Sequence, residues 1–173
     1  MDSEKCLGFI EIVKEIDMKW KNQDINKYSD IILSDCQIEK IQKERNDIII
    51  SFSEYGFIVK NCNDNKFYRT DGAQIVLKEC EMDELSIKKI ETQQSSVASF
   101  CESMYDIEPT DLLAKINSKE WKLEFVEEYY SVNGAYYITK IISKEFSFWC
   151  HIKIRFASLI YRWNRIRKEW PIE

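Results

Sequence analysis

Residues Trp121 to Phe156 read WKLEFVEEYYSVNGAYYITKIISKEFSFWCHIKIRF, and their pattern gives the clearest indication of the fold. Apolar and polar residues alternate along three segments of this stretch, which predicts three consecutive antiparallel strands. Turns are expected at Asn133-Gly134 and from Ser143 to Glu145, because Asn-Gly supplies the positive φ angles that a two-residue type I′ loop needs. The rest of the chain is expected to build on this sheet.

The Asn-Gly loop also predicts the register of the first hairpin. Tyr130 then faces Tyr137, and Glu127 faces Lys140 in a pair of opposite charge. Along the third strand, apolar residues occupy one face and mostly polar residues the other. The polar face of that strand carries Ser147, Trp149, His151, Lys153 and Arg155.

Elsewhere the pattern predicts helices at three places and short strands between them. Apolar residues at helical spacing from Ser3 to Trp20 indicate an N-terminal helix, and the same spacing predicts short central helices from Val97 to Tyr105 and after Pro109. Alternating segments predict strands at Cys36–Ile41, Asp47–Ser53, Phe57–Lys60, Lys66–Thr70, Ala73–Cys80 and Leu85–Ile90.

These elements predict an α+β fold that is mainly an antiparallel sheet, either a sandwich or a half-barrel. With 173 residues, 45% of them hydrophobic, and only four glycines and two prolines, the chain is expected to form one folded domain over residues 1–173. Residues 28–91 and 108–173 both contain strand-turn-strand patterns, which suggests a loose duplication.

The chain has no apolar run of the ~20 residues that span a bilayer, and its first residues do not resemble a signal peptide. A cytoplasmic protein is therefore expected. The six cysteines form no C-x-x-C pair and accompany a single histidine, so free and mostly buried thiols are favoured over disulfides or zinc. We expect neither a metal nor another cofactor.

Charge is distributed unevenly along the chain. Residues 138–173 hold eight Lys or Arg against three Asp or Glu, which leaves 17 against 27 in the preceding residues. The acidic first part disfavours a general nucleic-acid-binding protein, because neutralising phosphates requires a basic surface. It favours docking on a basic protein partner.

The sequence contains no motif of a catalytic site, and an enzyme is not predicted. His151 with Glu124 or Glu128 could form an acid–base site, but a lone histidine on a polar strand face is more often simply exposed. An alternative function is binding or processing of nucleic acid by His151, Lys153, Arg155 and the basic segment from Arg162 to Lys168.

The strongest candidate for a functional surface is the acidic and tyrosine-rich first hairpin. Tyrosine is enriched in protein interfaces, and carboxylates beside it can pair with Lys or Arg of a partner. The predicted partner contacts are Glu124, Glu127, Glu128, Tyr130 and Tyr137. A second candidate is the acidic segment from Glu79 to Glu84.

Two stretches, YRTDGAQIVLKECEMDEL (68–85) and EFVEEYYSVNGAYY (124–137), suggest a family. In an acidic chain of antiparallel strands, they resemble immunity proteins of bacterial contact-dependent growth inhibition and other polymorphic toxin systems. The resemblance implies binding and neutralisation of a cognate toxin, often a basic nuclease, by covering its active site or an adjoining surface. The basic segment after Ile138 departs from a uniformly acidic surface and leaves open which face binds.

Overall fold

The computed structural model describes residues 20–80, 85–95 and 99–172. They form a ten-stranded antiparallel sheet, a four-stranded antiparallel sheet and one α-helix. The prediction of a mainly antiparallel sheet is confirmed. The predicted helix from Ser3 to Trp20 falls almost wholly on residues 1–19, which lie outside the described residues.

The helix α1 spans Pro109–Asn117, between the ninth and tenth strands. The strands are β1 (Asn22–Ile25), β2 (Ile31–Ile32), β3 (Gln37–Glu44), β4 (Asp47–Phe52), β5 (Ile58–Lys60), β6 (Phe67–Asp71), β7 (Gln74–Lys78), β8 (Ser86–Ser95), β9 (Ser99–Asp106), β10 (Lys122–Ser131), β11 (Gly134–Ile142), β12 (Ser147–Arg155), β13 (Ser158–Trp163) and β14 (Arg165–Ile172).

The ten-stranded sheet has the order β1-β13-β7-β4-β3-β10-β11-β12-β8-β9, and the four-stranded sheet has the order β14-β6-β5-β2. Sequence neighbours pair in the hairpins, as in β10-β11-β12. By contrast, Asn22 of β1 lies opposite Trp163 of β13, 141 residues further along the chain. The large sheet therefore combines strands from distant parts of the chain.

One face of the ten-stranded sheet forms the core. Because side chains alternate between faces with a period of two, every second residue of its central strands points inward. Residues from β3, β4 and β7 enclose a cavity of about 40 Å³ together with residues from β8, β10, β11 and β12, and Leu112 and Leu113 of α1 also line it. The helix therefore packs against the core face of the sheet.

Helix α1 also lies where the neighbouring strands β3 and β10 of this sheet separate. Strands β3 and β10 pair only at Leu123↔Ile38 and Glu124↔Gln37. Beyond them, the Asn117 amide takes the place of a strand: its Oδ1 accepts a hydrogen bond from Ile41 N at 2.9 Å, and its Nδ2 donates to Ile41 O at 2.7 Å. The backbone of β3 therefore remains satisfied where its neighbouring strand diverges.

The prediction of two central helices is half correct. Helix α1 follows Pro109 as expected, but the predicted helix from Val97 to Tyr105 is wrong, because residues 99–106 form β9. Strand β8 also continues through residues 91–95, beyond the predicted strand end at Ile90, and its pairing with β9 has an unbroken register. The ladder bonds belong to the backbone, so polar residues can occupy a strand despite their low intrinsic preference for it.

The predicted register of the first hairpin is also wrong. The two loop residues are Val132 and Asn133, and Ser131 lies opposite Gly134, which begins β11. A Cβ atom at Gly134 would lie 2.5 Å from the Ile154 carbonyl oxygen of β12. The glycine therefore permits close approach of the third strand rather than serving as the second loop residue.

Four of the six cysteines have described side chains, namely Cys36, Cys62, Cys80 and Cys150. Cys36, Cys80 and Cys150 are buried and Cys62 is exposed, and the prediction of free thiols is confirmed for Cys36, Cys62 and Cys150. Burial raises the pKa of both the Cys36 and Cys150 thiols to about 12. Among the described residues, no helix is long and apolar enough to cross a membrane.

Candidate protein-binding surface

A β-bulge at Val126 decides which acidic side chains of β10 share a face. The register of the β10-β11 pair shifts between Phe125 and Glu127. In a regular strand, Glu124 and Glu128 would point to the same side. The extra residue instead leaves Glu124 and Glu127 on the outer face and turns Glu128 to the inner face, beside the core residue Phe125.

The inner face of the hairpin contributes to a group that we call the tyrosine cluster: Tyr28, Glu128, Tyr130, Tyr137 and Tyr161. The Tyr28 and Tyr130 rings stack with their centroids 4.2 Å apart. The Tyr161 hydroxyl donates a hydrogen bond to the Tyr130 hydroxyl at 3.2 Å. Burial raises the pKa of the phenols of Tyr28, Tyr130, Tyr137 and Tyr161.

Glu128 is committed to an internal contact in this cluster. Both of its carboxylate oxygens accept the Leu33 N–H, at 3.1 and 3.0 Å. Burial raises the pKa of this carboxyl to about 7, although the Leu33 hydrogen bond acts in the opposite direction. Glu128 therefore joins β10 to the segment that follows β2 and is not displayed on the outer face.

The prediction that Tyr137 contacts a partner is wrong, because only 2% of this residue is exposed. Its ring packs edge-on against Phe125, with centroids 5.0 Å apart. Its hydroxyl makes no hydrogen bond of standard geometry within the described part of the chain, and the nearby Tyr130 hydroxyl offsets only part of the rise in its pKa that burial causes. Tyr130 is half-buried and lies against Tyr28, so it too belongs to the inner side.

The opposite side of the hairpin carries what we call the outer surface: Glu124, Glu127, Tyr129, Tyr136, Trp149, His151 and Lys153. The large aromatic residues here are well exposed, at 53% for Tyr129, 37% for Tyr136 and 45% for Trp149. The Tyr129 hydroxyl donates to Glu127, and the Tyr136 hydroxyl contacts Nδ1 of His151. These contacts hold the rings in place while leaving much of their area accessible.

Charges of both signs occur on the outer face. One cross-strand row runs Glu127, Ile138, His151, Lys88 and Asp106 over five strands. The Lys88 ammonium lies 2.9 Å from Asp106. In the neighbouring row, Glu124 lies opposite Lys140, the partner that the sequence had predicted for Glu127. The face is therefore mixed in charge rather than uniformly acidic.

The basic residues considered for nucleic-acid binding are divided by the fold. His151, Lys153 and Arg155 lie on the outer side of β12. In the C-terminal segment, Arg162 donates to Gln23 at 3.1 Å from β13. From β14, Arg165 donates to Asp71 at 3.1 Å and Arg167 donates to the Glu54 carbonyl oxygen at 3.0 Å. These arginines are engaged in internal contacts on two different sheets.

Two open depressions mark the two ends of the hairpin sheet. The depression at the hairpin tip is about 600 Å³, and Tyr129, Tyr136, Lys153 and Arg155 are among its lining residues. A groove of about 510 Å³ lies near the other end, where β3 and β10 begin and α1 ends. Three charged side chains of this groove are paired: Glu39 lies 3.9 Å from Lys119, and Asp71 accepts a hydrogen bond from Arg165.

The acidic segment from Glu79 to Glu84 is described only at its first residue. Glu79 is exposed, and its backbone N–H donates to Asp47 at 3.1 Å. Positions 81–84 lie outside the described residues. Within the described part of the chain, no three His, Cys, Asp or Glu side chains are grouped so that they could hold a metal ion.

The partner contacts predicted from the sequence do not include the exposed aromatic residues of the outer surface. Trp149 could have been identified as an exposed residue from the sequence, because it alternates with His151 and Lys153 along the polar face of β12. Tyr129 and Tyr136 could not be distinguished from Tyr130 and Tyr137 without the bulge and the loop position.

No protein-family model, curated protein or solved structure matches the chain.

Proposed function

We propose that the protein is a non-enzymatic binding protein that docks on a cationic protein through its outer surface. The observation that carries this proposal is the exposed group of Tyr129, Tyr136 and Trp149 set among charges of both signs. Aromatic side chains offer a large contact area at little entropic cost, and charges around them favour the correct partner. The formal net charge of −5 would steer a cationic partner toward the molecule.

The mixed charge of this surface favours a protein over a nucleic acid. A polyphosphate chain would meet Glu124, Glu127 and Asp106 among the lysines, and each carboxylate would oppose binding. A protein surface can instead match each sign locally. The resemblance to immunity proteins favours a specific biological role for this binding, which is neutralisation of a cognate toxin in the cytoplasm.

The test is binding to the protein domain that the neighbouring reading frame encodes, which the proposal expects to be a toxin, measured by biolayer interferometry. Truncating Tyr129 and Tyr136 together to Ala should weaken binding at least tenfold, the scale of ~1.4 kcal/mol. The double reversal Glu124→Lys with Glu127→Lys should slow association and weaken the complex. Its matched control is Glu44→Lys with Glu120→Lys, which changes the net charge equally at exposed positions elsewhere.

Equal loss of association rate in both reversals would show that only net charge matters. Wild-type affinity in the tyrosine variant would place the interface on another surface. Lack of binding by the wild-type chain to that domain would contradict the proposed partner.

A second candidate function, binding of single-stranded nucleic acid, rests on the depression at the hairpin tip. Tyr129, Tyr136, Lys153 and Arg155 together offer the rings and cations that hold unpaired bases. The discriminating measurement is fluorescence anisotropy of a labelled single-stranded oligonucleotide at several salt concentrations. Binding that weakens steeply with salt and is lost in Lys153→Ala would favour this function, whereas no binding at low salt would remove it.

A further inference from the structure

The two sheets end in four edge strands, β1, β9, β14 and β2. Three of these strands have features that hinder pairing with another chain. Strand β2 has only two residues, and β1 has four. Strand β14 includes Pro171, which has no N–H, and its pairing register shifts between Ile166 and Pro171. Shortness, proline and irregular pairing are the features by which natural proteins prevent edge strands from pairing with other chains.

The fourth edge, β9, has none of these features. It spans eight residues, SFCESMYD, without proline, lysine or arginine, and it pairs with β8 in an unbroken register. Within the described residues its other side has no neighbouring strand. Strand β9 is therefore a long, regular edge whose unpaired side could accept another strand.

The hydrogen bond after β9 shows which of its backbone groups point outward. The Ile107 N–H donates to the Ile87 carbonyl oxygen of β8 at 2.9 Å. Since successive residues of an antiparallel strand turn their N–H and C=O groups to opposite sides, Tyr105 also pairs toward β8. Met104 and Asp106 then direct their N–H and C=O groups away from the sheet.

Exposed apolar side chains accompany this edge on both faces. Met104 is 56% exposed and lies in the outer-face row of Trp149 and Ile90. Tyr105, on the opposite face, is 48% exposed. An added strand would cover both side chains while satisfying the outward backbone groups.

We propose that β9 pairs with β9 of a second copy of this chain, in an antiparallel arrangement that joins the two ten-stranded sheets. A twofold axis perpendicular to the sheet through Ser103 places residue 102 opposite Met104 and residue 100 opposite Asp106. Residues whose N–H and C=O groups point away from β8 then face each other across the two strands. The two Met104 side chains become diagonal neighbours about 7–8 Å apart on the outer face. The two Asp106 carboxylates lie about 20 Å apart, at ~3.4 Å per residue, and do not repel strongly.

The test is sedimentation velocity and light scattering of the full chain from about 1 to 500 µM, the range in which a small interface associates. The expected result is a shift with concentration from 20.7 kDa to twice that mass. Met104→Lys introduces a charge at the centre of the contact, and Met104→Pro removes an outward N–H without affecting a bond to β8. Each should weaken dimerisation at least tenfold, while Gln23→Lys on the β1 edge should leave it unchanged.

Amide hydrogen exchange provides a second measurement that does not depend on the variants. The Met104 and Asp106 amides should become protected as the dimer forms, whereas the Tyr105 amide is already protected by β8. A monomer at every concentration would overturn the proposal. So would a dimer that persists in both Met104 variants, or one that the Gln23→Lys control disrupts equally.

Discussion

Tyr136 and Tyr137 are adjacent in sequence, yet they belong to opposite faces of β11. Tyr136 points to the solvent side and contacts His151, whereas Tyr137 is enclosed by Phe125 and the other residues of the tyrosine cluster. The same division separates Glu127, beside Tyr129, from Glu128, which binds the Leu33 N–H. On this hairpin, the position relative to the bulge and the loop decides whether a residue can meet a partner.

The strongest test of this comparison truncates each of the two tyrosines. Tyr137→Ala should lower the free energy of unfolding by about 3–5 kcal/mol, because it leaves a cavity in the core. Tyr136→Ala should lower it by less than about 1 kcal/mol, because the ring is already partly in water. Urea unfolding of both variants at pH 7 measures the difference, and similar losses would contradict the assignment of faces.

The adjacent glutamates provide a test that depends on pH. Glu128 has a pKa of about 7 in the folded chain, against an ordinary value of 4.5, so the folded state binds the proton more tightly. The free energy of unfolding should therefore fall as pH rises from about 4.5 to about 7, by about 1–3 kcal/mol. Glu128→Gln should remove this fall and be the more stable protein at pH 8.

Glu127→Gln is the matched control for that experiment, since Glu127 is exposed on the outer face. Its unfolding free energy should follow the wild-type pH profile between pH 4.5 and 7. A wild-type profile in Glu128→Gln would mean that another group causes the pH dependence.

Deleting Val126 tests the bulge itself. The remaining residues would alternate regularly, with Phe125 and Glu128 still inward and Glu127 outward, so the fold should survive at a cost of about 1–2 kcal/mol for the lost half-buried side chain. Deleting Ile138 from β11 has no such compensation and should exchange the faces of Tyr136 and Tyr137. Thermal unfolding followed by circular dichroism distinguishes the two, and an unfolded Val126 deletion would contradict the interpretation.

The smallest expected effect concerns one oxygen atom. The Tyr137 hydroxyl is buried and makes no hydrogen bond of standard geometry among the described residues, so Tyr137→Phe should be neutral or stabilising by up to about 1 kcal/mol. Tyr161→Phe removes a hydroxyl that donates to Tyr130 and should destabilise by a similar amount. A loss in Tyr137→Phe as large as in Tyr161→Phe would show that the Tyr137 hydroxyl has a partner.

The sequence predicted most strands but not the faces of the decisive hairpin. Alternation identified β10, β11 and β12, because one side of each strand faces the core. It could not reveal the bulge at Val126, since a half-buried valine fits the pattern on either face. The Asn-Gly pair favoured a loop one residue too late, because the approach of β12 to Gly134 is a tertiary contact that local sequence does not encode.

The same limit explains the helix expected from Val97 to Tyr105. Its spacing fitted a helix, but pairing with β8 determines the structure there, and such pairing cannot be recognised from either segment alone. The outer surface was only partly predictable for a related reason. The sequence shows that the hairpin is rich in the residue types found in interfaces. Which of these residues lie on the exposed face depends on the register of the β10-β11 pair.

The pairing of Asn22 with Trp163 has a consequence for the timing of synthesis. A ribosome that adds about 5–20 residues per second needs about 7–28 s to cover the 141 residues between them. During that interval β1 has no partner strand, and β13, β7 and β4 cannot complete their side of the sheet. The hairpins β3-β4 and β10-β11 can form earlier, so the nascent chain has an unfinished sheet margin for many seconds, and chaperones that bind exposed strands would have time to act.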